Sequence, residues 1–146
     1  MGLNELFELE GLDLRRSRLL RHQDSRALVG KTPYDLWVSN DQGFELYQKI
    51  QRKDRFSGVD TLVSFVVTPA GDTLFVGIFR ITGVGTAPTG LEDPVHGQDV
   101  GGFKLYDIEP IDLLANYSGR LTIDWGLGYI AWMQCPMGRD KAILAI

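Results

Sequence analysis

Apolar and β-branched residues are densest from Thr61 to Thr82, TLVSFVVTPAGDTLFVGIFRIT. Two runs rich in Val, Ile, Phe and Thr flank the turn formers Pro69-Ala70-Gly71-Asp72. That pattern predicts a β-hairpin, because branched and aromatic side chains suit a pleated surface while Gly and Asp tolerate the dihedrals of a tight turn. Neither arm alternates cleanly, so each is expected to be covered on both faces, as at the centre of a sheet or in the wall of a small barrel. Gly77 interrupts the second arm and predicts a bend, a bulge or a close backbone approach.

The stretch before this hairpin reads as mostly helical. Asn4 to Leu9 predicts a short helix stopped by Gly11, and Leu12 to His22 an extended segment or irregular loop anchored by Leu19 and Leu20. Thr32-Pro33-Tyr34-Asp35 is a helix start: Thr caps, Pro occupies the first turn where its missing N–H costs nothing, and Asp favours the positive end of the dipole. Ser39 to Gly43 breaks that helix. Phe44 to Arg52 resumes helical spacing, with Phe44, Tyr47 and Ile50 on one side and Lys49, Arg52 and Lys53 mostly pointing away. After the hairpin, Gly83 to Gly102 reads as a long polar loop, of the kind that is often functional or mobile. Strands are predicted at Phe103–Ile108 and Arg120–Trp125, a helical turn or connector at Ile111–Tyr117, and a turn at Gly126-Leu127-Gly128 that returns as Ala131–Cys135. Ala142–Ile146 is a last apolar strand. Five or six strands preceded by two or three helices predict a single α+β domain over 1–146, with a small, strongly curved or barrel-like mixed sheet.

Composition narrows the class. At 146 residues, 44% hydrophobic and 23% charged, the chain is long enough for one packed core. No apolar run approaches a membrane span, and the acidic start MGLNELFELEGL lacks the basic, apolar pattern of a signal peptide. The one cysteine, Cys135, excludes an internal disulfide and fits a cytoplasmic setting. A net charge of −4 argues against a broadly cationic surface, but the charge is uneven. Arg15, Arg16, Arg18, Arg21 and Arg26 form one basic cluster, and Lys49, Arg52, Lys53 and Arg55 a second.

Catalytic motifs are missing from the sequence. His22 and His96 lie 74 residues apart, with no HExxH, CxxC, nucleophile elbow, P-loop or dinucleotide fingerprint, and no cofactor or metal is expected. Cys135 in an apolar strand reads as a small core residue. The stronger signal is RLTIDWGLGYIAWMQ, in which Trp125, Tyr129 and Trp132 flank a Gly-rich turn beside Asp124 and Gln134. Aromatic faces stack on bases, and Asp and Gln supply hydrogen bonds that read a base edge. Trp125 and Trp132 have two readings at this level, core residues of paired strands or faces open to a ligand. Tyr47 and His22 join the candidate base-contacting set. Arg15, Arg16, Arg18, Arg21, Lys49, Arg52, Lys53 and Arg55 form the candidate phosphate-contacting set.

The blocks LxxxRxxLLRHQD, TPYDLW, FELYQ, LVSFVV, LFVGIFRITG and RLTIDWGLGYIAWMQ, in that order, resemble the N-terminal domain of bacterial proteins that carry a C-terminal GIY-YIG nuclease domain. The resemblance runs from about Leu3 to Ile146, and neither a GIY nor a YIG tripeptide occurs. The expected curved sheet is also similar to the PUA superfamily, with its EVE, ASCH, YTH and SRA domains. The resemblance implies a non-catalytic module that senses a modified base in nucleic acid, DNA or RNA, and directs a nuclease supplied by another domain. The alternatives are a protein-interaction domain whose aromatics are all core, and a small enzyme that uses Asp124 or His22 on a nucleotide-like ligand.

Overall fold

The computed structural model describes residues 2–22, 31–52, 56–124, 132–134 and 143–145. Three helices precede the central hairpin, with one strand between the first and the second. Helix α1, Leu3–Leu9, buries Leu3, Leu6 and Phe7, which the three- and four-residue spacing brings to one side. It stops where Gly11 turns with φ +81°, a conformation that a Cβ disfavours. Helix α2, Pro33–Val38, carries the expected start as a full capping box. Thr32 Oγ1 accepts from the Asp35 N–H at 3.2 Å, and Asp35 Oδ2 accepts from the Thr32 N–H at 3.0 Å. Helix α3, Gln42–Lys49, is capped by Asp41, which accepts from the Gly43 N–H at 2.8 Å. It ends before Arg52: Ile50–Gln51 turn extended and form strand β2, so Ile50 does not extend the helical face.

Leu12 to His22 resolves into a 3-10 turn, Leu14–Arg16, and strand β1, Ser17–His22. The strand is well buried despite its arginines because it lies inside the sheet, parallel to strand β3, Thr61–Val67. The predicted hairpin is present: β3 runs into strand β4, Thr73–Thr86, through a turn in which Gly71 adopts φ +92°. β3 and the first half of β4 are buried on both faces, while β4 beyond Gly77 becomes progressively exposed. Phe65 and Phe75 stand opposite each other with ring centroids 5.9 Å apart, edge to face.

Gly77 marks a bulge. Ser64 pairs with Gly77 but Phe65 pairs with Phe75, so Val76 is the extra residue. A second register shift lies between Ile81 and Gly83. Bulges bend a strand and increase its twist, and β4 changes neighbours along its length accordingly. Its start pairs with strand β6, Leu121–Ile123, and its second half with strand β5, Lys104–Ile111. The outcome is the expected α+β architecture, a curled mixed sheet flanked by three helices. Its main path is β2-β5-β4-β3-β1-β7, with β7 at Trp132–Gln134, and β6 joins β4 to strand β8, Ile143–Ala145. No helix among the described residues is long and apolar enough to cross a membrane.

Two expectations are corrected. Gly83 to Gly102 is not a structureless loop. β4 continues to Thr86, and the connection then folds on itself through paired backbone bonds such as Val100 N–H to Leu91 O at 2.8 Å and Ala87 N–H to Phe103 O at 2.8 Å. Ala87, Val95 and Val100 are buried within it. Strands β6 and β7 do not form the expected turn-and-return pair either. β6 pairs with β4 and β8, whereas β7 pairs with β1 on the other side of the hairpin.

The sheet has apolar packing on both faces. One face meets α1 through Leu3, Phe7, Leu19, Val63, Phe65 and Leu121. The other carries two separate clusters. Leu36, Phe44, Val66, Leu74 and Val95 gather under α2 and α3. Leu20, Phe56, Leu62 and Tyr106 gather further along the strands.

Candidate nucleic-acid interface

The polar side chains between those two clusters organise the candidate site. In β3, alternation puts Leu62, Ser64 and Val66 on one face; Leu62 belongs to one cluster and Val66 to the other, so Ser64 lies between them. On β1, Leu20 and His22 share that face, being partners of Ser64 and Val66. α3 brings Gln48, four residues after the buried Phe44 and therefore on the same helical side, over His22. His22 Nε2 and Gln48 Oε1 are 3.2 Å apart.

The imidazole is enclosed. The rings of Phe44 and Tyr47 stand edge-on to it at 5.6 and 5.5 Å. Burial strips the charged form of its hydration and pushes the His22 pKa down to about 4, against the opposing effect of the Gln48 hydrogen bond. His22 is therefore neutral at pH 7, and its Nε2–H donates to the Gln48 carbonyl oxygen. Two polar atoms here have no hydrogen-bond partner among the described residues: the Gln48 amide nitrogen and the Ser64 hydroxyl, both in residues with 0% exposure. Towards the surface, the Tyr47 ring lies 6.4 Å from that of His96, whose Nδ1 is 2.9 Å from Asp93 Oδ2.

Cations surround the outer side of the same segment. Arg52 follows β2, is exposed, and holds its guanidinium 5.8 Å from the centroid of Phe103. Gln51 pairs with Lys104 across β2 and β5, and Lys49 ends α3. None of Lys49, Arg52 and Lys104 has an ion pair among the described residues.

The structure therefore brings together Tyr47 and His22 from the predicted set, with Gln48 against His22, and sets Arg52 against Phe103. Gln48 was accessible to sequence reasoning through its four-residue spacing from Phe44; Ser64 and Lys104 carry no comparable signal.

The N-terminal arginines do not form one basic face. Arg15 is exposed, beside a backbone N–H capped by Asp13. Arg16 Nε donates to Asp60 Oδ2 at 2.7 Å. Arg18 is half-buried and Arg21 buried, and they stand three positions apart on the strand, which sends them to opposite faces. Arg21 thus lies in the packed sheet, and its desolvation lowers the guanidinium pKa from its ordinary value.

On β7, Trp132 pairs with Leu20 and Gln134 with Arg18, which sets this strand alongside the one that carries His22. Asp124 is exposed after β6, across the hairpin from β7. Trp125, Tyr129, Lys53, Arg55, Arg26 and Cys135 lie outside the described residues. Among the described residues, no group of three or more His, Cys, Asp or Glu side chains is arranged to hold a metal ion. No family model, curated protein or solved structure matches the chain.

Proposed function

We propose that this domain is a non-catalytic DNA-binding module that senses a modified nucleobase. One observation carries the reading: within Tyr47–Arg52, Gln48 is buried, its amide nitrogen without a hydrogen-bond partner among the described residues, while the half-buried Lys49 and the exposed Arg52 have no ion pair among them. Phosphate contacts by cations position a nucleic acid without reading its sequence, and hydrogen bonds with stacking in a recess read the base. Lys49, Arg52 and Lys104 supply the first kind of group, and Gln48, Ser64 and the rings around His22 the second. Trp132 and Gln134 are kept as candidate base contacts in this reading because their strand, β7, pairs with β1. In this reading the module works in the cytoplasm and directs a nuclease domain, as the sequence resemblance implies.

The test is binding of modified and unmodified oligonucleotides at two salt concentrations, with Lys49, Arg52 and Lys104 replaced together by Ala. Affinity should fall for every base, and the salt dependence should flatten by about 0.7–0.9 per lost phosphate contact. Unchanged affinity and slope would remove these residues from the interface. Cleavage of the oligonucleotide by the chain itself would replace the binding module with an enzyme.

A further inference from the structure

We propose that the recess lined by α2 and α3 binds an alkylammonium group, the chemistry shared by a lysine side chain and a small free amine. The inference does not rest on the nucleic-acid reading.

The break between the two helices builds the recess. Asn40 takes φ +53°, a left-handed conformation that asparagine tolerates, and the Asp41 N–H reaches back to Leu36 O at 2.9 Å. Side chains from the end of α2 and the start of α3 then line an open cavity of about 270 Å³. Leu36, Trp37 and Phe44 make its apolar lining, and Asp41 and Glu45 are its ionisable side chains. Pockets for drug-sized ligands run from about 300 to 1,000 Å³, so this one suits a single side chain or an amine of that size.

The lining is fixed before a ligand arrives. Trp37 is half-buried, with its ring 6.3 Å from that of Tyr34. A Cβ at Gly119 would come within 2.9 Å of Trp37 Cη2, so the glycine is what lets the indole pack there. Asp41 Oδ1 accepts from the Gly43 N–H at 2.8 Å as the helix cap, which orients the carboxylate. Glu45 is four residues further on, and so lies on the same side of α3.

Charge decides the ligand. None of the lining residues is cationic, and two carboxylates outweigh the partial positive charge, about half a unit, of the α3 N-terminus. Capping accounts for Asp41 Oδ1, but Oδ2 already holds an ammonium: Lys31 Nζ donates to it at 3.3 Å. That pair is 50% and 40% exposed, so it contributes little and gives way to an incoming amine. Glu45 has no ion pair among the described residues. Leu36 and Phe44 cover the alkyl stem of such a ligand, and Trp is the ring type that attracts a cation best.

The experiment follows the Trp37 indole N–H, identified by its loss in Trp37→Phe, in NMR titrations of the full chain. The probes are n-butylammonium, n-butanol and a blocked Gly-Lys-Gly peptide, each taken to about 50 mM. At least one of the two cations should bind with a millimolar dissociation constant, and n-butanol about tenfold more weakly or less. Asp41→Asn combined with Glu45→Gln should lose about tenfold in ammonium affinity while melting near native, because Asn caps as well as Asp. Lys31→Met should gain about two- to fivefold, since the competing ammonium is gone. Tighter binding of the peptide identifies a partner polypeptide as the source, and tighter binding of n-butylammonium a free amine; either supports the site. The proposal is overturned if neither cation binds, if n-butanol binds as tightly, or if the double variant keeps full affinity. Unchanged affinity in Lys31→Met places the ammonium away from Asp41 and overturns it too. Should the double variant not fold, n-butanol and Lys31→Met decide.

Discussion

His22 and Gln48 are 26 residues apart in the chain, and their side chains meet at 3.2 Å inside the fold. A strand end and a helix end are joined there by one neutral hydrogen bond between buried side chains.

That burial makes stability depend on pH in a window set by His22. The unfolded histidine titrates near 6.5, and the folded one at about 4. Because the folded pKa is the lower, the unfolded chain binds more protons between these values, so stability rises with pH. The contribution is complete above about pH 6.5 and is lost as the pH falls towards 4, by on the order of 3 kcal/mol. Asp41 is held below the usual carboxylate range by the Gly43 N–H and then Lys31, and Asp60 by Arg16, so their contributions are lost only at still lower pH. Urea unfolding at pH 7.5, 5.5 and 4.5 should show the loss in the native chain and a flat response in His22→Phe. An equal slope in both would assign the effect to another group.

Arg16 should behave differently from the cations around β2. Its bond to Asp60 joins side chains that are 57% and 44% exposed, and exposed pairs are worth about 0–1 kcal/mol. The Asp60 N–H also reaches Arg16 O at 2.8 Å, so the backbone holds these segments without the ion pair. Arg16→Ala should shift the melting temperature little and leave oligonucleotide affinity near native. A larger affinity loss than that of the Lys49, Arg52 and Lys104 variant would move the phosphate contacts to the β1 side.

The connection after β4 is open to a packing test. A Cβ at Gly101 would sit 2.7 Å from the Thr89 Cα and 3.2 Å from its nitrogen, and backbone atoms cannot rotate away. Gly101→Ala should therefore destabilise the protein by about 1–3 kcal/mol. At Gly85 a Cβ would meet only Leu105 O at 4.0 Å, so Gly85→Ala should be tolerated. Equal melting temperatures for the two variants would show that this connection is not part of the cooperative fold.

Features that depend on neighbouring residues were legible in the sequence by itself. The hairpin, the bulge signalled by Gly77, the Thr32 cap and the stop at Gly11 each follow from local dihedral preference, side-chain period or a bond spanning three residues. The α+β class followed from counting those elements. Tyr47, His22, Lys49 and Arg52 were nameable as candidates from their chemistry.

Tertiary pairing decided the rest. Ser17–His22 is a buried strand because β3 and β7 lie on its two edges, a condition that its mixture of leucines and arginines does not encode. β6 and β7 are close in sequence, but their hydrogen bonds go to strands on opposite sides of the hairpin. Val95 and Val100 look like stray apolar residues in a polar tract until the connection folds and buries them. Ser64 and Gln48 read as an ordinary strand serine and helix glutamine. Only the register of β3 against β1 and the docking of α3 bury them, because local sequence sets backbone conformation whereas burial is set by distant partners.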